Sequence, residues 1–376
     1  MMKDVYVVSD NIISPLGKTT EANFSALLQN ETGVKEHALN KISPVPFYAS
    51  LIEKELSEKL SNDYTKFEQL IILSITNALE ESNIKLQSAE TILIISSTKG
   101  NISLLETSAL NESIKNDIGL FASAKKIATF FKAANTPLIV SNACISGLTA
   151  LLTGKRLLET GQYQNAVVVG ADIITEFILS GFQSFQAVSS QPCKPFDATR
   201  NGINLGEAAA TIVLSTNEGD KKIKLSGGAV SNDANHISGP SRSGQELCIA
   251  INKALKQANV QAADIGFISA HGTATVYNDE MEAKAFSLAG MESIPLHSLK
   301  GYYGHTLGAA GVVESAIAIR SLQQKKMIPT KGFQEIGVSK PITVCKEIID
   351  VDAAHCLKTA SGFGGCNAAL VFSKTD

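Results

Sequence analysis

The six cysteines of this 376-residue chain, Cys144, Cys193, Cys248, Cys345, Cys356 and Cys366, show no CxxC spacing and no set of close pairs. That argues against a zinc site and a disulfide scaffold and fits a reducing cytoplasm. No run of about 18 uncharged apolar residues occurs, and the opening MMKDVYVVSDNIISPLG carries no cleavable apolar core, so neither a membrane span nor a targeting segment is expected. Excess charge is lacking too: 33 basic residues stand against 36 acidic ones, and the lysines are scattered. Without a basic footprint, nucleic acid is not an expected partner. What the chain does hold is apolar side chain, 44% of its residues, enough for two domains or one two-lobed body that folds without staples. A soluble cytoplasmic protein is expected.

Taken in order, apolar periodicity predicts a strand over 5–8, a turn at Ser14-Pro15-Leu16-Gly17, a helix over 20–29, a helix over 67–83 and a strand over 91–96. Two helices, about 102–114 and 121–133, precede a short strand at 138–140, a helix to about 159 and a strand over 166–170. Residues 181–206 read as a polar, glycine-bearing loop before a strand over 209–214. A lysine- and glycine-containing join at 217–224 separates halves at 1–217 and 218–376. The second half repeats the rhythm, with strands at 222–230 and 265–269, helices at 243–258, 279–288 and 306–323, and three closing strands near 342–348, 355–359 and 368–373. Strands alternating with helices predict an α/β architecture with a mostly parallel sheet covered on both faces, and the element order suggests duplication.

The chemistry centres on PLIVSNACISG, residues 137–147, where a β-branched run meets small residues and a helix start. Cys144 falls at this strand-to-helix elbow, where free N–H groups and the helix dipole would favour a thiolate, and Ala143 and Gly147 would leave room for substrate. Alone, the same pattern also fits a buried core thiol. Three further stretches bear on it. In ISAHGTAT, followed by Asp279 and Glu282, a strand end delivers His271 into a loop of small and hydroxyl residues, where an α/β sheet places its ligands. In LKGYYGHTLGAAG, glycines between Lys300 and His305 allow the loop to fold both toward one site, and the Gly/Ala run allows close packing onto a neighbour or a substrate. SGFGGCN, residues 361–367, is a glycine turn able to bring backbone N–H groups to a developing oxyanion, or else a plain hairpin turn. Cys366 reads there as a small packing residue rather than a second catalytic thiol. One thiol, two histidines and one lysine suit chemistry at a thioester.

These stretches resemble the β-ketoacyl-acyl carrier protein synthases, the elongating Cys-His-His branch of the thiolase-like superfamily. NACISG resembles the family's nucleophile elbow, KPFDATRNGINLGEAAA (194–210) its Pro-Phe-Asp to Gly-Glu segment, AHGTAT its first histidine motif and LKGYYGHTLGAAGVVE its lysine and second histidine motif. The resemblance implies a duplicated thiolase-like fold layered α-β-α-β-α with two mixed sheets, and an acyltransferase that condenses an acyl thioester on Cys144 with malonyl-acyl carrier protein. His271 and His305 would support decarboxylation. The backbone N–H groups of Cys144 and Phe363 would form the oxyanion hole, with Phe363 as gate. Lys300, held by Glu282, would order the site, and Thr273 and Thr275 would contact the pantetheine arm. No metal or diffusible cofactor is implied, since the substrates ride on phosphopantetheine. The implied partners are acyl carrier protein and a second copy, or a homologous subunit, in a dimer.

Three departures stand out. Ser361 replaces the family's usual Phe, Cys366 replaces its Thr, and the segment before Cys144, which in the family covers the acyl pocket and helps form the dimer interface, is shorter than in housekeeping members. A specialised pathway, such as polyene or other secondary lipid synthesis, therefore stands beside fatty-acid elongation. An initiating synthase would carry Asn in place of His305, a thiolase a second Cys in a different glycine motif, and a silent chain-length-determining subunit would have lost the nucleophile.

Overall fold

The computed structural model describes residues 3–53, 63–107, 111–235 and 237–375. Its centre is an eleven-stranded sheet made of two five-strand arrays and one added edge strand. In the first array Tyr6–Ile13 pairs antiparallel with Ala208–Ser215, which pairs antiparallel with Asn165–Asp172; Thr91–Ser96 and Leu138–Val140 then continue in parallel. In the second array Ile223–Asn232, Cys366–Lys374 and His355–Gly362 are antiparallel, then Ile265–Ser269 and Pro295–His297 are parallel, with Thr343–Val344 at the edge. The order of pairing types is the same in both, so the duplication suggested by element order appears as matched topology. The arrays are joined through Tyr6↔Lys224 and Val7↔Ile223, where the Leu225 N–H also donates to the Val5 carbonyl at 2.9 Å.

Helices fill three layers around these arrays. Lys66–Glu80, whose start is fixed by a capping box between Thr65 and Glu68, covers the outer face of the first array. Gln245–Ala258 covers the outer face of the second. Ser146–Glu159 and Ala310–Gln324 lie between the arrays and touch strands of both. The strands TILIIS (91–96) and AAATIVLS (208–215) are buried along their whole length, as expected for strands covered on two faces. The largest apolar cluster fills the middle layer and draws on both halves, from Val5 and Leu148 to Val312 and Phe372.

Several boundaries differ from expectation. The first strand runs on to Ile13, and three short helices, Leu104–Thr107, Glu112–Ile118 and Leu120–Phe130, replace two longer ones. Residues 108–110, inside the first of those expected helices, lie outside the described residues. The loop expected over 181–206 is entered by the helix Glu176–Ser184, started by Thr175, whose hydroxyl accepts a hydrogen bond from the Ile178 N–H at 3.3 Å. No helix among the described residues is long and apolar enough to cross a membrane.

Candidate active site

Parallel strands of both arrays end at one place, and the chain bears its reactive side chains just beyond those ends. After Leu138–Val140 the backbone turns through Ala143, which is held at φ 45° in the left-handed region, and Cys144 follows two residues before the helix Ser146–Glu159. After Ile265–Ser269 comes His271, and after Pro295–His297 come Lys300 and His305. One ligating atom from each of Cys144, His271 and His305 lies within 4.8 Å of the other two. The two imidazoles meet edge to face, 5.2 Å between centroids. Together with Thr273, Thr275 and Phe363, these residues line a cavity of about 420 Å³.

The space expected beside Gly147 is filled differently. A Cβ there would lie 2.8 Å from the Val312 nitrogen, and one at Gly311 would lie 2.5 Å from the Leu148 nitrogen. The two glycines let the central helices touch backbone to backbone, so they make room for a neighbour rather than for substrate.

The thiol is also not the depressed one expected from the elbow. Burial pushes Cys144 up to about 11, against the opposing pull of the Lys300 ammonium and the Phe363 N–H. Cys144 is therefore a neutral thiol at rest and has to surrender its proton on reacting. Burial also lowers both imidazoles well below their ordinary 6.5, helped by Lys300 and Lys358. Neutral imidazoles can take that proton. His271 Nδ1 and both nitrogens of His305 are buried with no hydrogen-bond partner among the described residues, an arrangement that leaves them available to a substrate.

The lysine's partner corrects the expected one. Lys300 is fully buried and pairs with Glu314, not Glu282. Glu282 instead accepts from the backbone N–H groups of His271 (2.8 Å) and Gly272 (2.6 Å), from Asn278 and from Thr359. It fixes the loop that presents His271 and does so as a positioning residue. Asp279 does likewise, accepting from the Thr273 N–H at 2.9 Å and the Phe196 N–H at 2.7 Å. Thr273 and Thr275 bond to each other at 2.8 Å on the cavity wall.

The segment 194–210 is a brace. Its Asn204 carbonyl accepts from the His305 N–H at 2.7 Å, and its Gly206 N–H donates back to the His305 carbonyl at 3.0 Å. Phe363 stacks on Phe182 at 5.7 Å and meets Phe185 edge-on at 5.4 Å, both from the unexpected helix and its C-terminal end. Cys366 lies outside the reactive trio, its thiol donating to Asn142 Oδ1 at 3.0 Å. Sequence reading missed Glu314, Lys358, Phe182 and Phe185. Glu314 carried a signal, being the acidic end of the motif LKGYYGHTLGAAGVVE that also holds Lys300 and His305.

Comparison with known proteins fits this geometry. Residues 2–219 match the model of the beta-ketoacyl synthase N-terminal domain, and residues 223–334 that of its C-terminal domain. The 3-oxoacyl-[acyl-carrier-protein] synthase 2 of Vibrio cholerae is 29% identical over 412 residues, covering 98% of this chain and 99% of the relative. The enzyme of the same name from Staphylococcus aureus strain COL is 23% identical over 418 residues, covering 99% and 98%. A ketosynthase in complex with its chain length factor from Xenorhabdus doucetiae shares the fold at TM-score 0.86 and 24% identity, covering 99% and 98%. The ishigamide ketosynthase/chain length factor does so at 0.89 and 21%, covering all of both chains. The fold is that of solved ketosynthases. The chain belongs to the beta-ketoacyl synthase family, whose members are acyltransferases.

Proposed function

We propose that this chain catalyses a decarboxylating condensation between an acyl group on Cys144 and malonyl-acyl carrier protein. The observation that carries this reading is the buried thiol beside two buried imidazoles in one cavity, with His271 Nδ1 and both His305 nitrogens unpartnered among the described residues. Cys144 Sγ attacks the acyl thioester. Its proton passes by way of a neutral imidazole to the departing pantetheine thiolate, and the tetrahedral oxygen is held by the backbone N–H groups of Cys144 and Phe363. The malonyl thioester then loses its carboxylate as carbon dioxide, leaving an enolate whose oxygen accepts hydrogen bonds from His271 and His305. The enolate carbon attacks the acyl carbonyl, the Cys144 thiolate departs, and it takes up a proton. The product is a 3-oxoacyl thioester two carbons longer.

Thr273 and Thr275 contact the pantetheine arm, and Lys300 is the ordering charge. Acyl carrier protein is the partner, and the working unit is a cytoplasmic dimer. A homologous second subunit is the alternative arrangement, favoured by the structural neighbours described as ketosynthase with chain length factor. The pathway is fatty-acid or specialised polyketide and polyene lipid synthesis. The silent-subunit reading is disfavoured by retention of Cys144, His271, Lys300 and His305. The test is product analysis with acyl- and malonyl-carrier protein: wild type releases the extended 3-oxo chain and Cys144→Ala releases none. Equal product from the variant excludes Cys144 as nucleophile.

A further inference from the structure

Lys358 lies on the strand His355–Gly362, paired in register with Ser269, and is fully buried. Its ammonium donates to the carbonyls of Ser269 and Ala270, each at 3.1 Å, the two residues that lead into His271. It also pairs with Glu314 Oε2 at 2.6 Å, while the other oxygen of that carboxylate holds Lys300. One carboxylate thus serves two ammonium groups behind the cavity. Burying ions costs several kcal/mol each even after relaxation, and apolar replacements are often as stable. Stability alone therefore gives weak grounds for a second buried lysine.

We propose that Lys358 is a positioning residue for the condensing site, tying the strand end that presents His271 to the Glu314–Lys300 pair and holding a fixed positive charge behind both imidazoles. This rests on the condensing reading given above. The groups facing Lys358 are Glu314 from the helix Ala310–Gln324, Lys300 from the turn before His305, Glu282 from the helix Val276–Leu288, and His271, His305 and His297 from the loops and strand beside it. Cys356 lies on its own strand. Lys300 and Lys358 both act to lower His271 and His305, so the two ammonium groups disfavour imidazolium and keep both rings neutral for proton transfer.

Lys358→Met removes the ammonium, nearly preserves length and leaves a one-to-one Glu314–Lys300 pair. Removing the positive charge makes imidazolium easier to form, so the acid limb of kcat moves to higher pH. At neutral pH kcat falls roughly tenfold to a hundredfold through lost alignment, with KM for both thioesters changed less than about twofold. Titration of isotope-labelled imidazoles by NMR shows the active-site rings titrating at higher pH than in wild type. If the methionine variant does not fold, Lys358→Gln, which keeps an N–H donor for the same carbonyls, is read in its place. The proposal is overturned if the folded variant matches wild type in kcat, pH profile and imidazole titration, or if kcat falls with neither the acid limb nor the imidazole titration moved. Should wild type itself not condense, the condensing reading fails, while the imidazole titration still decides whether Lys358 sets the charge state of the rings.

Discussion

Cys144 sits where burial and reactivity pull in opposite directions, and the neighbouring rings relieve the conflict. A thiol pushed up to about 11 is inert as a free nucleophile at neutral pH, but a neutral imidazole with a ring nitrogen within 4.8 Å of the sulfur can remove its proton as the two close up on reacting. His305→Ala is expected to lower malonyl decarboxylation by about 10²-fold or more and acyl loading by less, read as carbon dioxide release against adduct formation. Loss of loading with decarboxylation intact would reverse the assignment. The same burial has a consequence for stability. His271 and His305 are held well below 6.5 and His297 is pushed down to about 4, so the unfolded chain binds more protons than the folded one once the pH falls below about 6.5. Their contribution is complete above 6.5 and is lost as pH falls through that value toward the folded ones. Asp279, pushed up to about 7 by burial, takes up its proton in the folded chain over the same range and opposes this, so the imidazole part is read as the difference in denaturant unfolding between wild type and His297→Gln at pH 7.5, 6 and 5; an identical pH dependence in the two contradicts it.

At the level of elements, the site depends on helices and turns that approach without side chains between them. Gly147→Val would place atoms against the Val312 nitrogen, the Gly311 Cα and the Gly308 carbonyl, none of which can rotate away. A loss of roughly 1–3 kcal/mol or more is expected, together with slower acyl loading as the elbow shifts, checked by thermal unfolding and adduct formation. An unchanged melting temperature contradicts the backbone contact. Much of this level was readable in the chain. The strands 91–96 and 265–269 and the elbow at Cys144 follow from apolar runs bounded by small residues. The helix Glu176–Ser184 was not, because Ser180, Gly181 and Ser184 dilute its pattern, although Thr175 offered a capping signal. The pairing of Lys300 with Glu314 was equally hidden: spacing can suggest several carboxylates, and only the packing of the central helix selects one. The four chemical side chains could be named from sequence because their glycine-rich surroundings are local, whereas Lys358 acts through residues that are far away in the chain.

For the whole molecule, the two halves match in topology and each has an outer apolar cluster, but the largest cluster is shared between them. The middle cluster joins Val5, Leu148, Val312 and Phe372, and the clustered Cys144, His271 and His305 come from both sides of the join at 217–224. Unfolding is therefore expected as one cooperative transition in calorimetry, and a chain cut within that join is expected not to yield a stable first half alone. Two resolved transitions would show independent halves.

The most direct measurement of the central claim is intact mass spectrometry after incubation with a panel of acyl-carrier proteins, followed by malonyl-carrier protein. The account predicts an acyl adduct that maps to Cys144 and clears on malonyl addition as a 3-oxo chain two carbons longer. An adduct on another residue, or none with any donor, contradicts it.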